Sequence, residues 1–239
     1  MAKKTKSRKT APSPGRGILG GLRRFVLWCV LVSVVSVGLA ALVHRYVAPG
    51  PTFYMRQEAQ RLGGVDREWV ALDKVAPVMA RAVVAAEDAN FCSHWGFDMG
   101  AIRAVIEEGG ARGASTLSQQ TVKNVYLWHG RSWSRKALEA LMTPLVEAIW
   151  PKRRIVEVYL NIAEFDEGIF GVEAAARHYF GVGPEALTAR QAARLAAVLP
   201  DPKGRSASKP TDWMRKRTAA IMDGAATIRR DGRAACFED

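Results

Sequence analysis

"DKVAPVMARAVVAAEDANF", residues 73–91, is the stretch that decides the fold class. Val75, Val78, Met79, Ala82, Val83 and Ala86 recur at i, i+3, i+4 spacing, the period of a helix with one apolar face. The run closes on Glu87-Asp88 and gives way to Phe91, His94, Trp95 and Phe97. Helical periodicity returns in 115–127, 134–150, 152–165, 171–181 and 210–230. Ser134 reads as an N-cap, Pro144 as a kink, and Thr188 with Gln191 as a capping box opening "TARQAARLAAVL". No alternating run longer than about four residues suggests a strand. The expected fold is mainly α, with one catalytic domain.

Upstream, residues 1–24 hold eight of the 35 Lys and Arg residues and no acid. "FVLWCVLVSVVSVGLAALV", 25–43, then runs 19 residues without a charge. A helix of that length spans close to the roughly 30 Å of a hydrocarbon core. The basic flank predicts a cytoplasmic N-terminus, and the domain beyond residue 43 would lie outside the cytoplasm. A cleaved signal peptide is the alternative, since Gly38-Leu39-Ala40 loosely fits a small-residue site; the apolar run is longer than signal peptides use, which favours an anchor. The expected organisation is a basic tail (1–24), a transmembrane anchor (25–43), a linker with "YVAPGPTFYM" (44–72) and a domain (73–239). A net charge of +12 points to an anionic partner. Nucleic acid is excluded as that partner, because the basic residues outside the tail would lie beyond the membrane. Cys29, Cys92 and Cys236 lie far apart without CxxC spacing, so the sequence indicates neither a disulfide framework nor a zinc site and gives Cys92 no role.

Three stretches carry chemistry. Glu87, at a helix end before three aromatics, is either a solvated terminus or a carboxylate desolvated against aromatic walls, which would raise its pKa and strengthen it as a base. In "RGASTLSQQTVKN", 112–124, Ser115-Thr116 opens a helix whose free backbone N–H groups would suit an anion, with Gln120, Lys123 and Asn124 following. The bland alternative is an ordinary capped helix. In "RSWSRKALE", 131–139, Arg135 and Glu139 form an i, i+4 pair, a spacing that mostly gives weak surface salt bridges.

"EDANFCSHWGFD", "GASTLSQQTVKN", "RKALE" and "KRRIVEVYLN" stand in the order of four motifs, and together they resemble the family 51 glycosyltransferases, the peptidoglycan glycosyltransferases that polymerise lipid II. "IAEFDEGIFGVEAAARHYFG" and "LTARQAARLAAVLPDP" continue the likeness, which covers about residues 70–200. "SASK", 206–209, matches the SxxK of penicillin-binding domains by spelling only; no KTG follows, so a monofunctional member is expected.

The resemblance implies a lysozyme-like α fold in the bacterial inner membrane, with its domain in the periplasm. It implies Glu87 as the base for the attacking 4-hydroxyl and Glu139 as the second carboxylate. Lys123, Arg131, Arg135, Lys136 and Lys152 would line the diphosphate site, with Ser115, Gln120 and Asn124 giving neutral hydrogen bonds. It requires no cofactor and leaves room for a divalent cation, Mg²⁺ or Mn²⁺, at the diphosphate. The implied partners are lipid II, the growing lipid-linked glycan strand, the membrane and other cell-wall synthesis or division proteins. His94 and Asp88 are expected to support the Glu87 loop, and Phe91, Trp95 and Phe97 to face lipid. The link from Asp98 to Gly113 is short for the family's membrane-facing subdomain. Two other readings stay open: a lysozyme-like lytic enzyme, and a membrane-anchored scaffold without activity.

Overall fold

A computed structural model describes residues 15–109, 113–130 and 132–238, with 15–19 as backbone only. The chain divides into two units, Met1–Ala40 and Ala41–Asp239. Helix α1, Gly15–Tyr46, begins in the first. Its stretch Gly20–Tyr46 is long and apolar enough to cross a membrane, and Phe25, Trp28 and Leu31 are exposed along it.

The second unit takes over with the last turns of α1. Trp150 Nε1 donates to Ala41 O at 2.7 Å, while Arg154 donates to His44 O and Val47 O at 2.9 and 2.8 Å, so these backbone ends are satisfied from the domain. Helices α2 (Phe53–Leu62), α3 (Pro77–Glu87), α4 (Met99–Glu107), α5 (Leu117–Tyr126) and α6 (Trp133–Ile149) follow. Then come α7 (Lys152–Ile162), α8 (Val172–Phe180), α9 (Ala189–Val198), α10 (Asp212–Arg230) and the short α11 (Ala235–Glu238). One small sheet accompanies them, made of β1 (Asp66–Arg67), β2 (Glu164–Asp166) and β3 (Ile169–Phe170). β3 lies centrally, parallel to β1 (Asp66 opposite Ile169) and antiparallel to β2 with a register shift. The domain is mainly helical, as the periodicity predicts.

The apolar faces read from sequence are the buried ones. Met79, Ala82 and Val83 of α3 are fully or almost fully buried, and α3 packs with α9 and α10. Ala192, Ala193, Ala196 and Ala197 keep α9 thin enough for close approach. α7 is buried from Ile155 to Val156 and from Val158 to Ile162, and it packs with α5. The Thr188–Gln191 capping box is present, with Gln191 N–H on Thr188 Oγ1 and Thr188 N–H on Gln191 Oε1.

Three expectations are corrected. The N-cap of α6 is Ser132, which accepts from Arg135 N–H at 3.2 Å; Ser134 already lies inside the helix. Cys92 and Cys236 form a disulfide across 144 residues, because folding brings the 3₁₀ turn Phe91–Ser93 against α11. Phe91 is fully buried, and of the three aromatics expected to face lipid only Trp95 is broadly exposed, with Phe97 half-buried.

Candidate active site

The loop after α3 is drawn onto α5 by one carboxylate. Asp88 Oδ2 accepts the Leu117 N–H at 3.0 Å, and Asp88 Oδ1 lies 2.8 Å from His94 Nε2. Asp88 and His94 are therefore loop supports in geometry as well as in expectation. Gly96 continues the clamp: its φ of +84° suits glycine, and a Cβ there would lie 2.5 Å from Thr143 Cγ2 of α6. Thr116 Oγ1 donates to Gly96 O at 2.7 Å. Removing the Asp88 side chain would orphan a buried N–H and the His94 ring nitrogen. Asp88→Ala is expected to lose about 1–3 kcal/mol of stability, read by urea unfolding, for which an unchanged midpoint would be the contrary result.

That contact also corrects the reading of the α5 N-terminus as an anion site. Leu117 N–H is taken by Asp88, and Gln119 N–H by Thr116 Oγ1 at 3.3 Å. Thr116 N–H goes to Gln119 Oε1 at 3.1 Å. The helix start is a capping box docked on a carboxylate, so the Thr116, Leu117 and Gln119 N–H groups are already engaged.

What α5 offers instead is its side chains at i, i+3, i+4: Gln120, Lys123 and Asn124 share one face while Leu117, Ser118, Thr121 and Val122 are buried. Gln120 Nε2 donates to Glu87 Oε2 at 2.8 Å. Tyr159 OH donates to Gln120 Oε1 at 3.2 Å, which fixes which end of the amide faces Glu87. Burial pushes the Glu87 carboxyl above the usual range; the Gln120 bond, then Arg217 and Lys123, oppose the shift. Tyr159 is buried and its phenol is held well above its ordinary value, so it stays a donor.

Two cavities meet at this point, sharing Gln120 and Pro200 as wall. The one beside Glu87, about 580 Å³, is also lined by Asn90, Asp98, Ser115 and Arg217. The other, about 380 Å³, is lined by Lys123, Asn124, His129, Tyr159 and Lys203. Burial pulls the Lys123 ammonium below its usual value, Arg135 and Lys136 add to the shift, and Glu139 is the largest opposing influence. Among the described residues none gives the Lys123 ammonium a hydrogen bond or ion pair.

Glu139 is buried, its side chain 3% exposed. Arg135 Nη1 donates to its Oε2 at 2.7 Å and the Lys136 ammonium to its Oε1. Lys136 also donates to Ser115 Oγ at 3.1 Å, tying this cation–carboxylate cluster to the rim of the Glu87 cavity. The i, i+4 pair is thus a buried network rather than a weak surface bridge. Lys152 lines neither cavity: its ammonium donates to Glu147 Oε1 and His94 O, each at 2.8 Å, and sits 4.2 Å from the Phe91 ring centroid. Arg131 lies outside the described residues. Of the other sequence-predicted residues, Glu87 and Ser115 line the first cavity, Lys123 and Asn124 the second and Gln120 both, while Arg135, Lys136 and Glu139 line neither and join the first through the Lys136–Ser115 bond.

Sequence reading missed Arg217, which reaches from α10 to donate to Ala86 O at 2.9 Å, 131 residues away. It also missed the far wall of the second cavity. There Tyr54 stacks on His129 with ring centroids 3.7 Å apart and donates to Glu164 Oε2 at 2.7 Å, while Lys203 donates to Glu58 at 2.8 Å. Burial pushes His129 down to about 4, so it is neutral at pH 7, and Tyr54 up to about 12. No local spacing marks these residues; only tertiary contact assembles them.

Comparison with known proteins adds what geometry leaves open. The family model described as Transglycosylase matches residues 56–226. A biosynthetic peptidoglycan transglycosylase of Jannaschia sp. (strain CCS1) is 56% identical over 238 residues, covering 99% of each chain. Proteins of the same description from Rhodospirillum centenum and Caulobacter vibrioides are 47% and 46% identical. Those alignments cover 91% and 93% of this chain, and 96% and 99% of the relatives.

Proposed function

The chain belongs to the transglycosylase family, and on that premise we propose that it polymerises lipid II into β-1,4-linked glycan strands. The observation that carries the reading is the pairing of a desolvated carboxylate, Glu87, with the cations Lys123, Arg135 and Lys136 on the adjoining helices. A glycan-cleaving site needs the first and not the second.

The 4-hydroxyl of an incoming lipid II gives its proton to Glu87 as its oxygen bonds to the anomeric carbon of the lipid-linked strand. The bond from that carbon to the diphosphate oxygen breaks, its electron pair leaves with the polyprenyl diphosphate, and the α link becomes β by inversion. The geometry is that of an inverting glycosidase with a sugar hydroxyl in place of water. Gln120, locked by Tyr159, aims the carboxylate. Lys123, Arg135 and Lys136, with Arg131 by resemblance, stabilise the charge growing on the leaving diphosphate, where ammonium and guanidinium groups act most strongly. Ser115 and Asn124 supply neutral contacts. Lys152 would act through the loop it holds.

Among the described residues no group of three or more His, Cys, Asp and Glu could hold a metal, and both Glu139 oxygens are already paired with cations. This donor set does not fit a resident Mg²⁺ or Mn²⁺, and no step runs through one. We place α1 in the inner membrane with the basic tail cytoplasmic and the domain periplasmic. Support comes from the charge asymmetry across α1 and from the disulfide, which suits an oxidising compartment.

The raised Glu87 carboxyl also suits a general acid, and that favours glycan cleavage as the second reading. Incubating the purified full chain with lipid II in detergent separates the two. Polymeric glycan with released polyprenyl diphosphate is the expected result. Shortening of preformed strands, with lipid II untouched, would establish the lytic reading instead.

A further inference from the structure

The Glu87 loop is held from two sides, and only one belongs to the catalytic helices. On the near side Asp88 bonds to α5 and Lys152 bonds to His94 O. On the far side stands a C-terminal hook, residues 231–238, beyond residue 226 where the family match ends. Its Cys236 is covalently bonded to Cys92, five residues past Glu87. Arg233 Nη1 donates to Ala89 O at 3.0 Å, and Phe237, fully buried, packs on Phe91 with centroids 6.4 Å apart. The hook is itself tied to the body of the domain: Arg81 Nη1 donates to Glu238 Oε1 at 2.9 Å and Arg153 Nη1 to Phe237 O at 3.3 Å. A covalent bond, a charged hydrogen bond and an aromatic contact thus converge on residues 89–92, within one turn of the carboxylate that the reaction needs.

We infer that the hook is a positioning device for the catalytic loop, with Cys92 and Cys236 as positioning residues, and that turnover depends on the oxidation state of their bridge. The inference rests on the glycosyltransferase reading for its kinetic part only. The bridge forms when the two thiols pass two electrons and two protons to the disulfide of an oxidant by thiol–disulfide exchange, leaving that oxidant as a dithiol. Both sulfurs belong to half-buried residues, so a small dithiol can reverse the exchange in the folded protein. Opened, the bridge frees the far side of the loop while Asp88 still holds the near side. A base misplaced by an ångström is then expected to slow the chemical step more than it weakens binding.

The test compares the full chain oxidised, after reduction with dithiothreitol, after reoxidation with glutathione disulfide, and as the Cys92→Ser/Cys236→Ser variant. Amide hydrogen exchange and lipid II kinetics are read at a temperature well below every unfolding midpoint. Reduction is expected to speed exchange at residues 89–95 while Leu117, still held by Asp88, and the α7 and α9 amides stay unchanged. It is also expected to lower kcat by roughly tenfold or more with KM within about twofold. Reoxidation restores both, and dithiothreitol leaves the serine variant unaffected. Uniform or absent exchange changes would reduce the bridge to an ordinary staple and overturn the inference. So would local loosening with kcat unchanged. Should the oxidised chain fail to polymerise lipid II at all, the functional reading falls, while the exchange pattern still decides whether the hook holds the loop.

Discussion

Replacing Glu87 with Gln is expected to lower kcat by about 10³-fold, within the range a positioned general base supplies. The amide keeps the size of the carboxyl and can still accept from Gln120, so binding of lipid II should change little and the loss should fall on kcat. In the wild type the carboxyl must be ionised to act. Since burial raises its pKa, activity should climb with pH through a midpoint above the ordinary glutamate range, and the variant's residual activity should lack that limb. Stability should move the other way. A carboxyl whose folded pKa lies above its unfolded value contributes stability that is complete below the unfolded pKa and disappears as pH rises through the folded one. At pH 7 the buried charge is a cost, so the neutral amide should leave the unfolding temperature equal or higher. A variant that loses activity and melts earlier would mean that Glu87 is a structural residue.

Local chemistry made much of this architecture readable. The period of 73–91 spans several turns and the Thr188–Gln191 box a single one; the box is present as read, while the helix takes Pro77–Glu87, the middle of the periodic run. The face of α5 that carries Gln120, Lys123 and Asn124 follows from i, i+3, i+4 spacing alone. The reading of Ser134 as the α6 N-cap failed because Ser132, two residues earlier and of equal capping strength, takes that place. Periodicity is silent in a loop, so it could not separate buried Phe91 from exposed Trp95. The anion-binding reading of the α5 start failed because Asp88, 29 residues earlier, supplies the partner for the Leu117 N–H. The disulfide and Arg217 depend on pairings across more than a hundred residues, which no spacing rule reaches without the fold.

Glu139 should differ from Glu87 in its effect on stability and in the limb of the pH profile it moves. Its carboxylate sits between two cations, accepting from Arg135 and Lys136, while its own carbonyl accepts from Thr143 Oγ1 at 2.6 Å. Glu139→Gln removes the charge and leaves Arg135, whose side chain is only 12% exposed, facing Lys136 and Lys123 uncompensated. Breaking a buried pair from one side is expected to cost about 3 kcal/mol, seen as a lower urea midpoint. The kinetic effect passes through Lys123. Its ammonium is already below the ordinary lysine range, and Glu139 is the main influence holding it up against burial, Arg135 and Lys136. Without that carboxylate the ammonium loses its proton at lower pH, and the diphosphate leaves against a weaker field. The alkaline limb of the kcat/KM profile should therefore move down in pH, while the acidic limb, set by Glu87, stays in place. At pH 7 the loss should be about 10²-fold, comparable to losing one electrostatic donor in a water-excluded site. An alkaline limb that does not move would separate Glu139 from Lys123 and confine it to holding α6. The two carboxylates thus predict opposite stability changes: neutralising Glu87 relieves a burial cost, and neutralising Glu139 creates one.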